Sequence, residues 1–161
     1  MNSRIYWDSM PSQTKCLLIK ENLDLLPHRP PMVWIDSLTD LDRETTRAFY
    51  LLRKDGLYFD QGRFVPSWFL ELIGQTYGYS TAFKQKSLKK HLRICYIAAV
   101  NDFTVSSYAH LRAGQTLEIQ VRTLHDLHPF YVLEGFVFSE DKVLLCRAQI
   151  KGYAETAEDA P

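Results

Sequence analysis

Residues 66–86 read PSWFLELIGQTYGYSTAFKQK, and their spacing predicts a long helix that the rest of the chain must wrap. Proline in a first helical turn forfeits no hydrogen bond, because its amide would be unpaired there anyway, and Ser67 beside it suits the orphan amides of a helix start. The helix is therefore placed from Pro66 onward. Trp68, Phe69, Leu72, Ile73, Thr76, Tyr79, Ala82 and Phe83 recur at three- and four-residue spacing. That stripe is too broad for a helix packed on one side only and reads as a buried central helix. Glu71, Gln75, Gly78 and Ala82 fall at i, i+4, i+7 and i+11, so an acid and an amide share a face with two small residues. Such a face leaves room for another group.

The chain has 161 residues, 46% of them apolar and with a formal net charge of zero, which suits one globular domain with a real core. The core is expected over residues 14–153, with flexible ends at 1–13 and 154–161. Charge balance gives no global basic field for nucleic acid, and no stretch has the apolar length of a membrane span. The first eleven residues, MNSRIYWDSMP, lack the basic-then-apolar order of a secretory signal, so a cytoplasmic protein is expected. Cys16, Cys95 and Cys146 stand among apolar residues without ligand spacing and read as reduced core cysteines. The histidines suggest no metal site, because the pair His125 and His128 has no further ligands near it in sequence.

Before the helix, residues 14–26 suggest a short amphipathic helix stopped by Pro27. Residues 26–32, LPHRPPM, form an extended proline-fixed segment that holds His28 and Arg29 in a set direction. Strands are predicted at 33–38 and 43–53, with a turn at Asp40, Leu41 and Asp42 between them. After the helix, Lys84, Lys86, Lys89, Lys90, His91 and Arg93 form the chain's basic cluster, which suits a helix C-terminus or a docking patch for an acidic partner. Strands follow at 94–100, within 102–113, at 116–124, 130–139 and 142–153, the last two joined through Glu140 and Asp141. Leu117, Ile119 and Val121 alternate with Glu118, Gln120 and Arg122, which gives that strand one wet face. A hairpin, one long helix and then consecutive antiparallel strands make an α+β protein, a single domain whose sheet wraps the helix. The sequence has no GxGxxG, phosphate-binding loop or GxSxG pattern, so no cofactor is expected.

Several of these stretches resemble the 3-hydroxyacyl-acyl-carrier-protein dehydratases of the hotdog fold, the FabZ/FabA-like enzymes. Residues 26–36, LPHRPPMVWID, are similar to that family's LPHRxPxLLVDR segment, and ELIGQ at 71–75 to its E-A-x-A-Q helix motif. RAGQTLEI at 112–119 resembles its PGDxLxLxV strand entry, and the likeness spans residues 19–152. The family carries its catalytic histidine in an HFPGxPVMPG loop before the helix. Here the matching window is YFDQGRFVP, residues 58–66, with Tyr58 in the place of that histidine. The pattern looks most like an ApeP-like branch associated with aryl polyene-type pathways.

The resemblance implies a long central helix wrapped by an antiparallel sheet, and an activity on acyl-carrier-protein thioesters. Dehydration of a 3-hydroxyacyl thioester needs a base for the α-proton, an acid for the departing hydroxyl and donors for the thioester oxygen. Glu71 is the candidate acid or base, Gln75 its orienting partner, and the amides near Ser67 and Trp68 the donors, since orphan N–H groups favour an anion. Three sources remain for the base. His28 is one; Tyr58 is a second, although a tyrosine's ordinary pKa of about 10 makes it a weak base at neutral pH. The third is a histidine-bearing hotdog partner, because the family builds its sites across a dimer interface, so a homodimer or heterodimer is expected. Lys89 and Lys90 are placed near the entry of a phosphopantetheine arm, because carrier proteins are acidic. Tyr77, Tyr79, Phe83 and Phe103 suit either an aromatic-rich tunnel or aromatic core. The competing readings are a hotdog thioesterase, in which Glu71 would activate water, and a non-catalytic acyl-binding or scaffold subunit.

Overall fold

The computed structural model describes residues 16–41, 44–87, 92–106 and 108–156. Seven strands form one antiparallel sheet in the order β1-β2-β3-β7-β8-β9-β6. They are β1 (Leu17–Leu18), β2 (Ser37–Thr39), β3 (Thr45–Leu51), β6 (Leu92–Val105), β7 (Thr116–Leu127), β8 (Phe130–Phe138) and β9 (Leu144–Thr156). A second, two-stranded piece, β4 (Phe59–Asp60) with β5 (Arg63–Phe64), precedes the helix α1 (Trp68–Ser87). The arrangement is the expected α+β fold, one long helix laid across a large antiparallel sheet.

The sheet turns alternate residues toward the helix, as a two-residue strand period requires. Ala48 and Tyr50 of β3, Leu117, Ile119 and Val121 of β7, Leu133 and Val137 of β8, and Ala148 and Ile150 of β9 are all buried. They meet Phe69, Leu72, Ile73 and Tyr79 of α1, which are buried as their spacing predicts. Gly135 of β8 permits the closest approach, since a Cβ there would lie 2.4 Å from Ile73 Cγ2.

The differences from expectation lie mostly at element ends. The helix proper begins at Trp68, not Pro66: residues 65–67 form a lead-in turn in which the amides of Trp68, Phe69 and Leu70 donate to the carbonyls of Val65, Pro66 and Ser67, each at 3.1 Å. Residues 17–25 are β1 followed by two single 3-10 turns, Ile19–Glu21 and Leu23–Leu25, rather than one amphipathic helix. Pairing of Leu17 and Leu18 with Leu38 and Ser37 draws that segment into the sheet, so tertiary pairing overrides helical spacing. Residues 33–36 are not assigned to a strand, although Asp36 donates its N–H to the Phe49 carbonyl (2.9 Å) and accepts from the Ile19 N–H (3.0 Å), and the strand expected there is only Ser37–Thr39.

One strand, β6, replaces the two pieces expected between 94 and 113, and it follows β9 through register shifts at 92/94, 97/99 and 101/104. β9 runs to Thr156, and Ala154, expected to fray, is buried. Cys146 is buried and Cys95 half-buried, but Cys16 is exposed, so it is no core residue. The strand face expected to be wet is partly sealed: Glu118 is buried under Lys142 and Arg47. Glu134 is buried between Arg122 (2.7 Å) and Arg147 (2.8 Å). No described helix is long and apolar enough to cross a membrane.

Candidate active site

Two elements bring the site together: the first turns of α1 and the loop that runs from Leu26 to Trp34. The loop is shaped by its own side chains. Arg29 Nη1 donates to the carbonyls of Leu23 (2.8 Å), Leu26 (2.8 Å) and His28 (2.7 Å), so one guanidinium gathers the backbone on either side of His28. Trp34 Nε1 donates to the Pro31 carbonyl at 2.9 Å, which closes the loop's other half.

Gln75 joins that loop to the helix. Its Oε1 accepts from the Trp34 N–H at 2.9 Å, while Nε2 donates to the Met32 carbonyl at 2.7 Å and to Glu71 Oε1 at 2.7 Å. The side chain is buried, with 2% of its surface exposed, so these bonds answer polar groups that water does not reach. Spacing of i, i+4 puts Gln75 one turn above Glu71, and the amide holds one carboxylate oxygen. Oε2 of Glu71 has no hydrogen bond among the described residues.

His28 completes the cluster, with Nε2 3.5 Å from Glu71 Oε1. That separation is too long for a full hydrogen bond. Nδ1 of His28 is buried without a hydrogen-bond partner among the described residues. A ring protonated at Nε2 turns its N–H toward the carboxylate and leaves only a lone pair unanswered, the less costly of the neutral tautomers.

Behind Glu71 lies a cavity of about 260 Å³, walled by Leu26, Pro27, His28, Glu71, Gly74, Gln75, Tyr77, Gly78 and, from the sheet, Cys95, Tyr96, Ile97, Leu133, Ile150 and Gly152. It follows the helix face that carries Glu71, Gln75 and Gly78, which is the face that the small residues leave open. Gly74 and Gly78 bring the helix close to its neighbours there, since a Cβ would lie 3.3 Å from Ile97 Cδ1 at the first and 3.1 Å from Leu26 Cδ1 at the second. Burial pushes the Cys95 thiol up to about 11, so it is a neutral wall and not a nucleophile at physiological pH.

The other residues singled out from the sequence stand elsewhere. Tyr58 is in the core, 1% exposed. Its hydroxyl accepts from the Arg53 N–H and from Tyr50 Oη (3.1 Å) and donates to the Arg53 carbonyl (3.1 Å). Its ring packs edge-on to Trp34 with centroids 5.5 Å apart. Ser67 is exposed, and Trp68 stacks obliquely on Trp34 at 4.2 Å; neither lines the cavity. The amides of Trp68, Phe69 and Leu70 are already spent on the lead-in turn. Lys89, Lys90 and His91 lie outside the described residues. Of the aromatic candidates, Tyr77 lines the cavity, Tyr79 is core and Phe103 is exposed on β6.

The sequence reading missed the sheet side of the wall. Gly152 was its one legible signal, because a glycine inside a strand marks a close approach or a space kept open.

The family described as "ApeP-like: ApeP dehydratase" matches residues 21–160. No curated protein matches the chain significantly. Among solved structures, the dehydratase heterocomplex ApeI:P from Xenorhabdus doucetiae aligns with a TM-score of 0.76 at 18% identity, over 89% of this chain and 94% of that one. A Streptococcus mutans protein bound to acetyl-CoA aligns at 0.59 and 13% identity, over 80% and 94% of the two chains. The E. coli PaaI protein from the phenylacetic acid degradation operon aligns at 0.56 and 9% identity, over 72% and 80%. At these identities the likeness is one of fold, the hotdog fold.

Proposed function

The chain belongs to the ApeP-like dehydratase family, and from that membership we propose that it is a subunit of a 3-hydroxyacyl-thioester dehydratase of aryl polyene-type biosynthesis. Its substrate is an acyl chain carried on the phosphopantetheine arm of an acyl carrier protein. The observation that carries the reading is Glu71, one oxygen pinned by Gln75 and the other open, at one end of a cavity along the central helix.

In the reaction the α C–H bond breaks, its proton passing to a base, and the electron pair forms the new C=C bond. The C–O bond at the β-carbon breaks, and the hydroxyl leaves as water with a proton from the acid. On this reading Glu71 delivers that proton from Oε2, and Gln75 is a positioning residue, because all its polar atoms are engaged with Glu71, Met32 and Trp34.

The base comes from a second hotdog subunit that bears the histidine. Tyr58 is buried away from the cavity, and the orientation of His28 toward Glu71 with its other nitrogen buried makes it a companion of the acid. β6 supports the same reading. It is the last strand in the sheet order, exposes Ile94, Tyr96, Ile97, Val100 and Phe103, and contributes Tyr96 and Ile97 to the cavity wall. A subunit paired along β6 would cover apolar surface and close the cavity in one act.

The test is hydration of an enoyl-thioester, the reverse reaction, by the chain alone and by the chain co-expressed with a histidine-bearing hotdog dehydratase. The chain alone is expected to be nearly inactive. The complex should be active and lose about 10²–10⁴-fold on Glu71→Ala, the usual worth of a positioned acid. Full activity of the chain by itself would overturn the partner's role. Free thiol released without enoyl product would make it a thioesterase, and unchanged output on Glu71→Ala would make it a scaffold.

A further inference from the structure

Tyr77 lines the same cavity as Glu71, six residues and so roughly 9 Å further along the helix at the usual rise per residue. Its ring lies against Gly152 on β9, where an added Cβ would sit 3.5 Å from Tyr77 Cε1, and 5.6 Å from the ring of Tyr131 on β8. A separate polar niche of about 20 Å³ also has Tyr77 in its wall, together with Glu44, Thr46, Ser80, Thr81 and Lys84. Tyr77 therefore borders both spaces. One is apolar and adjoins the acid; the other is polar, crossed by the Thr46–Ser80 hydrogen bond of 2.8 Å.

The Tyr77 hydroxyl is buried and has no hydrogen-bond partner among the described residues; burial pushes it well above the ordinary phenol range and keeps it neutral, an effect that nearby Thr81 only partly opposes. A niche of this size has room for about one water, which would answer the hydroxyl from the polar side. The cavity itself sits just below the roughly 300–1,000 Å³ of most small-molecule sites, so it takes a short acyl segment.

We propose that Tyr77 is the specificity-determining residue of this cavity: its ring is the partition between the acyl space and the polar niche, and it sets the longest chain accepted. This rests on the acyl-thioester reading of the site. Removal of the ring joins the two spaces, and a methyl group on Gly152 shortens the first, because that Cβ meets only ordinary van der Waals contacts.

The test uses unreactive S-alkyl pantetheines of increasing chain length, with binding measured by calorimetry on the complex with its histidine-bearing partner. Affinity should rise about fourfold per methylene, equivalent to about 0.8 kcal/mol, until the chain meets Tyr77, and then level off. Tyr77→Ala should move that plateau to longer chains, Gly152→Ala to shorter ones, and Tyr77→Phe should keep it in place. If Tyr77→Ala does not fold, Gly152→Ala carries the decision alone. Binding with the same plateau in wild type and Gly152→Ala, or in Tyr77→Ala where it folds, would overturn the inference while leaving the acyl-thioester reading intact. Failure of the wild-type complex to bind any of the series would overturn both.

Discussion

Replacing Gln75 by leucine keeps the volume of the side chain and removes its hydrogen bonds. Two backbone groups then lose their partners, the Trp34 N–H and the Met32 carbonyl. Trp34 is fully buried, so its N–H has no water to turn to, a penalty of about 1–3 kcal/mol. The carbonyl is only part-buried, and its bond is worth about 0.5–1.5 kcal/mol net. Together the change should destabilise the chain by about 2–4 kcal/mol. At about 2–4 °C per kcal/mol for a chain of this size, Tm should fall by roughly 5–15 °C.

Glu71 would also lose the donor that fixes Oε1, so kcat of the active complex should drop while KM changes little. Glutamate at position 75 gives an internal control. It can still accept from the Trp34 N–H, yet it cannot donate to Met32 and it sets a second carboxylate against Glu71. Equilibrium urea unfolding, with steady-state enoyl-thioester hydration on the same samples, reads both effects. A Gln75→Leu protein with the wild-type urea midpoint and wild-type kcat would refute the reasoning, because it would mean that Gln75 neither ties the loop to the helix nor positions the acid.

Three further outcomes follow from the packing and the ion pairs. Gly135→Ala places a methyl group 2.4 Å from Ile73 Cγ2, so it should destabilise by about 1–3 kcal/mol or more, visible as a lower urea midpoint. Tyr58→Phe should cost about 1–3 kcal/mol, since it leaves the Arg53 N–H and carbonyl unanswered, but the complex should keep its kcat; a large loss of kcat at unchanged KM would return Tyr58 to the catalytic candidates. Burial alone would raise the Glu134 carboxyl, yet Arg122 and Arg147 outweigh it and hold the group below the ordinary carboxylate range. A carboxylate lowered by folding stabilises above its unfolded pKa, and that contribution vanishes as pH falls through the folded value. The stability gap between wild type and Glu134→Gln should thus be full near neutral pH, roughly 1–2 kcal/mol given two half-exposed guanidiniums, and should close below pH of about 4. A gap that widens on acidification would contradict the pairing.

Much of this architecture is written locally. The stripe on α1 and the alternation in β7 each encode their own burial, because helical and strand periods differ and both are long here. Glu71 and Gln75 were legible for the same reason, since one helical turn puts them together whatever surrounds them. Features that depend on distant partners were not. The strand β1 exists only because Leu38 and Ser37 pair with it, and residues 17–25 taken alone have a helical pattern. Glu118 looks like a solvent-facing acid until Lys142, 24 residues away, folds over it. The roles of Tyr58 and His28 turned on a side-chain direction, toward Arg53 in one case and toward Glu71 in the other, which no spacing rule contains. The cavity wall is assembled from α1, β6, β8, β9 and the loop before Trp34, and only its helical third has a period to read.

The strand β6 also bears on how such a chain must be made in a cell. Fourteen residues long, apolar along much of its length and with no further strand beside it among the described residues, it offers an open edge to any other extended segment, including those of nascent copies. Its three register shifts are a partial defence, because bulges twist an edge away from flat templating. They do not hide Tyr96 or Phe103. If a second subunit covers this edge, synthesis in excess of that subunit carries a penalty in self-association and turnover, and a cell gains by producing the two in matched amounts. The dose of the chain, as much as its chemistry, is under constraint from a single strand.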